Sequence, residues 1–219
     1  GTLIDLDSDE KAASTWKKFI RWLDKRDVKH PNYITMRREF FEMDLAARAK
    51  ITSEMGISHP EIDVIPIYRE QFERYGNVHL TDGFIEELSY AFREASICSI
   101  GVFDGVMEYL EALKKAGKRI FILSNAQRSY TWPEVVQFGF DKIMDDVLIS
   151  SDDYYMKPQV EYFDRLFKKH NLSRETSVMI GDSYSSDIQG AINYGIDYIL
   201  LTGDKSADKF YLNELSSEN

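Results

Sequence analysis

The stretch SVMIGDSYSSDIQGAINYG, residues 177–195, decides the fold. Residues 177–180 read as a short apolar strand, Gly181 and Asp182 follow at once, and a second acid, Asp187, leads into a helical run over 186–194. A strand that runs through a tight turn into a helix is the repeating unit of a parallel sheet. Two carboxylates at the carboxyl end of such a strand suit magnesium, which takes one or two carboxylates and keeps its other positions for water and phosphate oxygens. Capping explains the same two acids, because Asp is favoured and stabilised at a helix start. Asp182 and Asp187 are therefore candidate metal ligands, with capping as the alternative.

Working outward, strand and helix signals alternate from Gly101 onward. Helices are expected over 104–116, after Pro133, and over 160–169; strands over 119–123, 147–150 and 198–202. Short apolar strands separated by helices predict an α/β core, a Rossmann-like parallel sheet covered on both faces, with chemistry just after Leu123, Ile149 and Ile180. Residues 9–97 read differently, as helix after helix, with breaks at 30–31, 56–60 and 76–81. Phe19, Trp22 and Leu23 carry the helical spacing there, no strand is expected, and Pro66 is expected to shorten or kink the third helix.

Two further strand ends carry polar groups. Ser124 and Asn125 end the strand RIFIL and offer a hydroxyl, an amide and backbone donors to a phosphate oxygen, although Ser-Asn is also a common turn. Lys157 precedes Pro158, which is suited to the first turn of the next helix. A lysine there can neutralise a transferring phosphoryl group, while the alternative is a solvated surface lysine.

Composition sets the outer limits. With 219 residues, 43% of them hydrophobic, the chain is long enough for one sizeable core plus a modest second domain. A net charge of −10 disfavours nucleic acid and anionic membranes as partners, so an anionic substrate needs a local cation such as Lys157. The single cysteine, Cys98, rules out an internal disulfide, fits a reducing, cytoplasmic setting, and is expected to be a small core residue. His30, His59, His79 and His170 lack metal-ligand spacing and receive no role.

The order Ser124, then Lys157, then Gly181-Asp182 with Asp187, each after its own strand, resembles the second, third and fourth motifs of the haloacid dehalogenase superfamily over residues 101–203. That family's first motif is a strand ending in Asp-x-Asp-Gly-Thr-Leu. Gly1, Thr2 and Leu3 resemble its tail, which places the nucleophile and the acid/base Asp immediately before Gly1. A rival alignment on Asp5 and Asp7 fits less well, because Ser8, Asp9 and Glu10 would stand where the family has Gly-Thr-Leu.

The resemblance implies a core domain of residues 1–8 and 98–219 and an inserted, all-helical cap over 9–97. It further implies a magnesium-dependent phosphatase that hydrolyses a small phosphomonoester, a nucleotide or sugar phosphate, through an aspartyl-phosphate. Thr2 and Lys157 would be catalytic, Ser124, Asn125 and Lys157 would bind phosphate, and Asp182 and Asp187 would hold Mg2+. The protein would be a monomer or homodimer. The acidic loop disfavours the metal-free dehalogenase branch. Other readings are a phosphomutase, a receiver-like phospho-acceptor, whose motif order fits less well, or a non-catalytic binding protein on the same fold.

Overall fold

The computed structural model describes residues 1–78 and 80–202, which leaves His79 and Gly203 outside it. Four helices fill the first half: α1 (Ala13–Asp24), α2 (Tyr33–Met55), α3 (Val64–Arg74) and α4 (Asp82–Ser96). Local chemistry fixes their starts. The Asn32 side chain accepts from the N–H groups of Ile34 and Thr35, Asp63 from that of Ile65, and Thr81 from that of Phe84. Each satisfies donors that a helix start leaves without intrahelical partners. Gly56 closes α2 at φ 71°, a conformation unfavourable for a residue with a side chain. Pro66 does not kink α3 from within. It stands in the first turn, where a backbone N–H has no intrahelical acceptor to lose.

These helices close around an aromatic core. Trp16, Phe19 and Leu23 form one stripe of α1 and meet Met36, Phe40, Tyr68, Phe72, Leu88 and Phe92, whereas Trp22 is only partly buried. Burial of each such side chain contributes about 1.5–3 kcal/mol. Tyr130 joins the same cluster although it lies far along the chain, and its hydroxyl sits 2.8 Å from that of Tyr68.

An antiparallel ribbon brackets the four helices. Strand β1 (Ile4–Ser8) pairs with β2 (Ile97–Val102), Ile4 opposite Val102 and Asp7 opposite Ser99. The sequence reading missed both strands. Asp5 and Asp7 are exposed within this antiparallel ribbon, whereas the rival alignment expects them at the carboxyl end of a parallel strand. Cys98 is also exposed, contrary to the expected core position, because β2 belongs to a two-stranded ribbon and not to a covered sheet.

The remainder is the expected alternation: α5 (Val106–Lys115), β3 (Phe121–Ser124), α6 (Arg128–Gln137), α7 (Phe140–Ile143), β4 (Asp146–Ile149), α8 (Val160–His170), β5 (Val178–Gly181), α9 (Gln189–Tyr194) and β6 (Asp197–Leu200). Helix α6 starts before Pro133 and holds it internally, which corrects the expected start after that residue. Strand β3 runs parallel to β4, with Leu123 opposite Leu148, and β5 runs parallel to β6, with Ile180 opposite Ile199.

Both pairs feed the same two apolar layers. Ile122, Val147, Ile149, Ile180 and Ile199 lie in one, and Phe121, Leu123, Leu148 and Met179 in the other. The result is a Rossmann-like α/β core with a helical cap. Among the described residues β3 pairs only with β4, and β5 only with β6. Ile122, Met179 and Ile180 are accordingly only partly buried, although strands inside a covered parallel sheet are normally buried on both faces. No helix among the described residues is long and apolar enough to cross a membrane.

Candidate active site

Strand β5 delivers Gly181 and Asp182 to its carboxyl end. Gly181 is required by its surroundings, since a Cβ there would lie 2.3 Å from Oδ2 of Asp187. The chain then makes a wide π-type turn, Tyr184–Ile188, in place of the expected direct entry into an α-helix. Its frame is the carbonyl of Ser183, which accepts from the N–H groups of Asp187 at 2.8 Å and Ile188 at 3.3 Å. Such turns concentrate at functional sites. This one tucks Asp187 inward, 4% exposed, and no side-chain cap bond marks the start of α9.

Both oxygens of Asp187 have partners. Oδ1 lies 2.7 Å from Nζ of Lys157, and Oδ2 accepts from the Ser183 N–H at 3.0 Å. Asp182 faces the other end of the chain. The Thr2 hydroxyl donates to its Oδ1 at 2.8 Å, across 180 positions of sequence. Gly1 packs so closely that a Cβ would stand 2.4 Å from the Asp182 carboxylate. Residues 1 and 2 therefore sit at the carboxyl end of β5.

The end of β3 is held from below and from the side. The carbonyl of Ser124 accepts from the buried Tyr162 hydroxyl at 3.0 Å. Burial, reinforced by Asp152, Asp153 and Glu61, pushes that phenol well above its ordinary range, so it remains a neutral donor. Asn125 clamps the backbone of Lys157, donating from Nδ2 to its carbonyl at 2.8 Å and accepting from its N–H at 2.7 Å. Lys157 is 8% exposed, which corrects the picture of a solvated lysine. The Lys157-Pro158 peptide is cis, and Pro158 precedes α8 without forming its first turn.

The fold thus connects Asn125, Lys157 and Asp187 through consecutive contacts, sets Thr2 on Asp182 beside them, and leaves Ser124 next to Asn125. For a metal the donor set fits in part. Among the described residues no three His, Cys, Asp or Glu side chains converge on one point. Asp187 is engaged by Lys157 and Ser183, and Asp182 accepts from the Thr2 hydroxyl. Sequence reasoning missed Tyr162 and the backbone role of Asn125. Neither leaves a linear motif, because each acts on main-chain atoms distant in sequence.

A family model described as haloacid dehalogenase-like hydrolase matches residues 48–201, well over half of the chain. The chain belongs to the haloacid dehalogenase-like hydrolase family. Among curated members, the glyceraldehyde 3-phosphate phosphatase of Methanothermobacter thermautotrophicus is 28% identical over 102 residues, 47% of this chain and 45% of that protein. The chain spans about half the length of the curated relatives it matches. Of solved family structures, the 2-haloacid dehalogenase of Pseudomonas syringae pv. tomato DC3000 superposes with a TM-score of 0.63 at 18% identity, covering 97% of this chain and 94% of that one. The HAD-hydrolase YfnB of Bacillus subtilis, described as bound to magnesium, gives a TM-score of 0.51 at 17% identity over 97% of this chain and 93% of that one. At these identities the structures establish the haloacid dehalogenase fold alone.

Proposed function

We propose that this chain forms the cap and most of the core of a magnesium-dependent phosphatase acting on a small phosphomonoester, with residues 9–97 as the cap and 1–8 plus 98–219 as the core. One observation carries the reading: the Thr2 hydroxyl donates to Asp182, so an Asp-x-Asp immediately before Gly1 would stand beside that carboxylate. An extended segment ending in that pair would pair with the edges of β3 and β5 that have no partner among the described residues and cover the half-exposed Ile122 and Ile180.

In this reading the first aspartate of that segment attacks phosphorus, the phosphorus–oxygen bond to the substrate alcohol breaks, and the second aspartate supplies the proton on which the alcohol leaves. Water then hydrolyses the aspartyl phosphate to phosphate. Magnesium, held by Asp182 and by carboxylates of the same segment, would supply neutralisation of the phosphoryl oxygens. Lys157 adds a second positive charge, oriented by Asp187 and by the Asn125 clamp. Ser124 offers its hydroxyl to a phosphate oxygen. Asn125 acts through Lys157, since both ends of its amide are on that residue's backbone.

The names of the curated relatives support a sugar phosphate of triose size as the first substrate to try, with nucleotides next. The test is phosphate release by the protein carrying the segment before Gly1, with magnesium, across triose phosphates, larger sugar phosphates, nucleotides and an aryl phosphate. Turnover of at least one is expected. Silence across the whole panel would overturn the phosphatase reading.

A further inference from the structure

Glu61 belongs to the segment between α2 and α3, yet its carboxylate is buried against the core, with a side chain 7% exposed. Its Oε1 accepts from Nη2 of Arg48 at 3.0 Å, from its neighbour's N–H on Ile62 at 3.0 Å, and from Nε2 of Gln127 at 3.3 Å. Its Oε2 accepts from the hydroxyl of Ser150 at 3.0 Å. Arg48 is in turn held by Asp44 and by the carbonyl of Pro60. Both carboxylate oxygens therefore have donors, which a charge at this depth requires.

Two of those donors lead to the strand ends of the site. Ser150 is wholly buried at the end of β4, and its Oγ accepts from the N–H of Ala126 at 2.9 Å. Gln127 accepts from the N–H of Val64 through Oε1 and donates through Nε2 to the carbonyl of Ile62. Ala126 directly follows Asn125, whose amide grips both the N–H and the carbonyl of Lys157. Nearby, Gln159 donates to the carbonyl of His59, and the Glu61 N–H donates to the carbonyl of Tyr154. The loop carrying Glu61 is thus fastened to all three core segments around Ser124, Ser150 and Lys157.

We propose that Glu61 is a positioning residue: through Ser150 and Ala126 it sets the geometry of Ser124, Asn125 and Lys157, and so couples the seating of the cap segment to the phosphate-binding end of the site. Glu61 touches no substrate in this scheme. Its influence on phosphate rests on the function proposed above, whereas its influence on the loop does not.

Amide hydrogen exchange in the 219-residue chain tests the coupling without any turnover. Glu61→Ala should speed exchange at Ala126 and Lys157 by about tenfold, while Leu88 in the cap core stays unchanged. Ser150→Ala should reproduce the effect, and Glu61→Gln, which keeps an acceptor for Ser150, should restore most of the protection. In the protein with its preceding segment, Glu61→Ala should raise the inhibition constant for inorganic phosphate and KM about tenfold, with a smaller change in kcat. Tyr68→Phe, which loosens a different cap-to-core contact, should leave both constants in place. Unchanged exchange at Ala126 and Lys157 in both Glu61→Ala and Ser150→Ala overturns the proposal, and so does a loss of protection spread evenly over the protein. Absence of turnover in the parent protein would instead count against the phosphatase reading alone.

Discussion

Nζ of Lys157 lies 2.7 Å from Oδ1 of Asp187, and both side chains are nearly buried. Removing either partner leaves an uncompensated charge inside the protein, which costs about 3–5 kcal/mol. Lys157→Ala is therefore expected to lower the denaturation midpoint as well as turnover, where a solvated lysine would affect turnover alone. Lys157→Met with Asp187→Leu should recover much of the lost stability and none of the turnover. Urea unfolding beside phosphate release separates the two effects.

Thr2 orients Asp182 by one hydrogen bond of 2.8 Å. Loss of such an outer partner typically weakens metal affinity about 10–100-fold. Thr2→Val, in the protein with its preceding segment, should raise the magnesium concentration for half-maximal turnover by that order and leave the fold unchanged. Asp182→Asn should make turnover independent of magnesium by reducing it to background. A magnesium titration of both variants is the check, and an unaltered titration in Asp182→Asn would return that residue to a purely structural role.

Tyr130 lies in α6 of the core yet fills the aromatic cluster of the cap helices. Tyr130→Ala should cost about 3–5 kcal/mol, like other large aromatic truncations in a packed core. Tyr130→Phe retains the ring and strands the buried Tyr68 hydroxyl, a smaller loss of about 1–3 kcal/mol. Thermal unfolding of the two variants should rank them in that order.

Asp145 shows how pH acts on the frame. Burial pushes its carboxyl up, but bonds from the Lys114 ammonium and the Ile120 N–H outweigh this and hold it below the ordinary carboxylate range. A carboxyl depressed by folding stabilises the protein above the unfolded value of about 4, and the benefit fades as pH falls through the lower folded value. Asp145→Asn should therefore cost about 0.5–1 kcal/mol at pH 7, a modest sum because the pair is partly solvated. Urea unfolding at pH 7 and pH 3 should show that difference shrinking on acidification.

What the sequence revealed follows a physical line. Strands β3, β4 and β5 were legible because each is a short apolar run, a local pattern that the order of residues marks, and Ser124 and Asp182 stand at two of their ends. The four cap helices were legible from apolar residues at helical spacing, such as Phe19 and Leu23, and from the breaks between them. Strand β1 was open to view as well: Ile4 and Leu6 alternate with the exposed Asp5 and Asp7, but an Asp-x-Asp invites reading as chemistry before reading as pleat. Glu61, Tyr162 and the Asn125 clamp were closed to sequence reasoning. Their roles depend on main-chain atoms that only the folded chain brings near, and a buried Glu looks like a surface Glu in one dimension.

That β3 and β5 each pair along one edge only among the described residues has a consequence for handling the molecule. A strand paired along one edge only is a template, and it accepts whatever extended backbone reaches it first. Kept at high concentration, the 219-residue chain should cross-pair with its own copies and scatter light. A short synthetic peptide with an apolar, strand-forming sequence should suppress that turbidity and raise the melting temperature, by pairing with those strand edges in trans as a detachable splint.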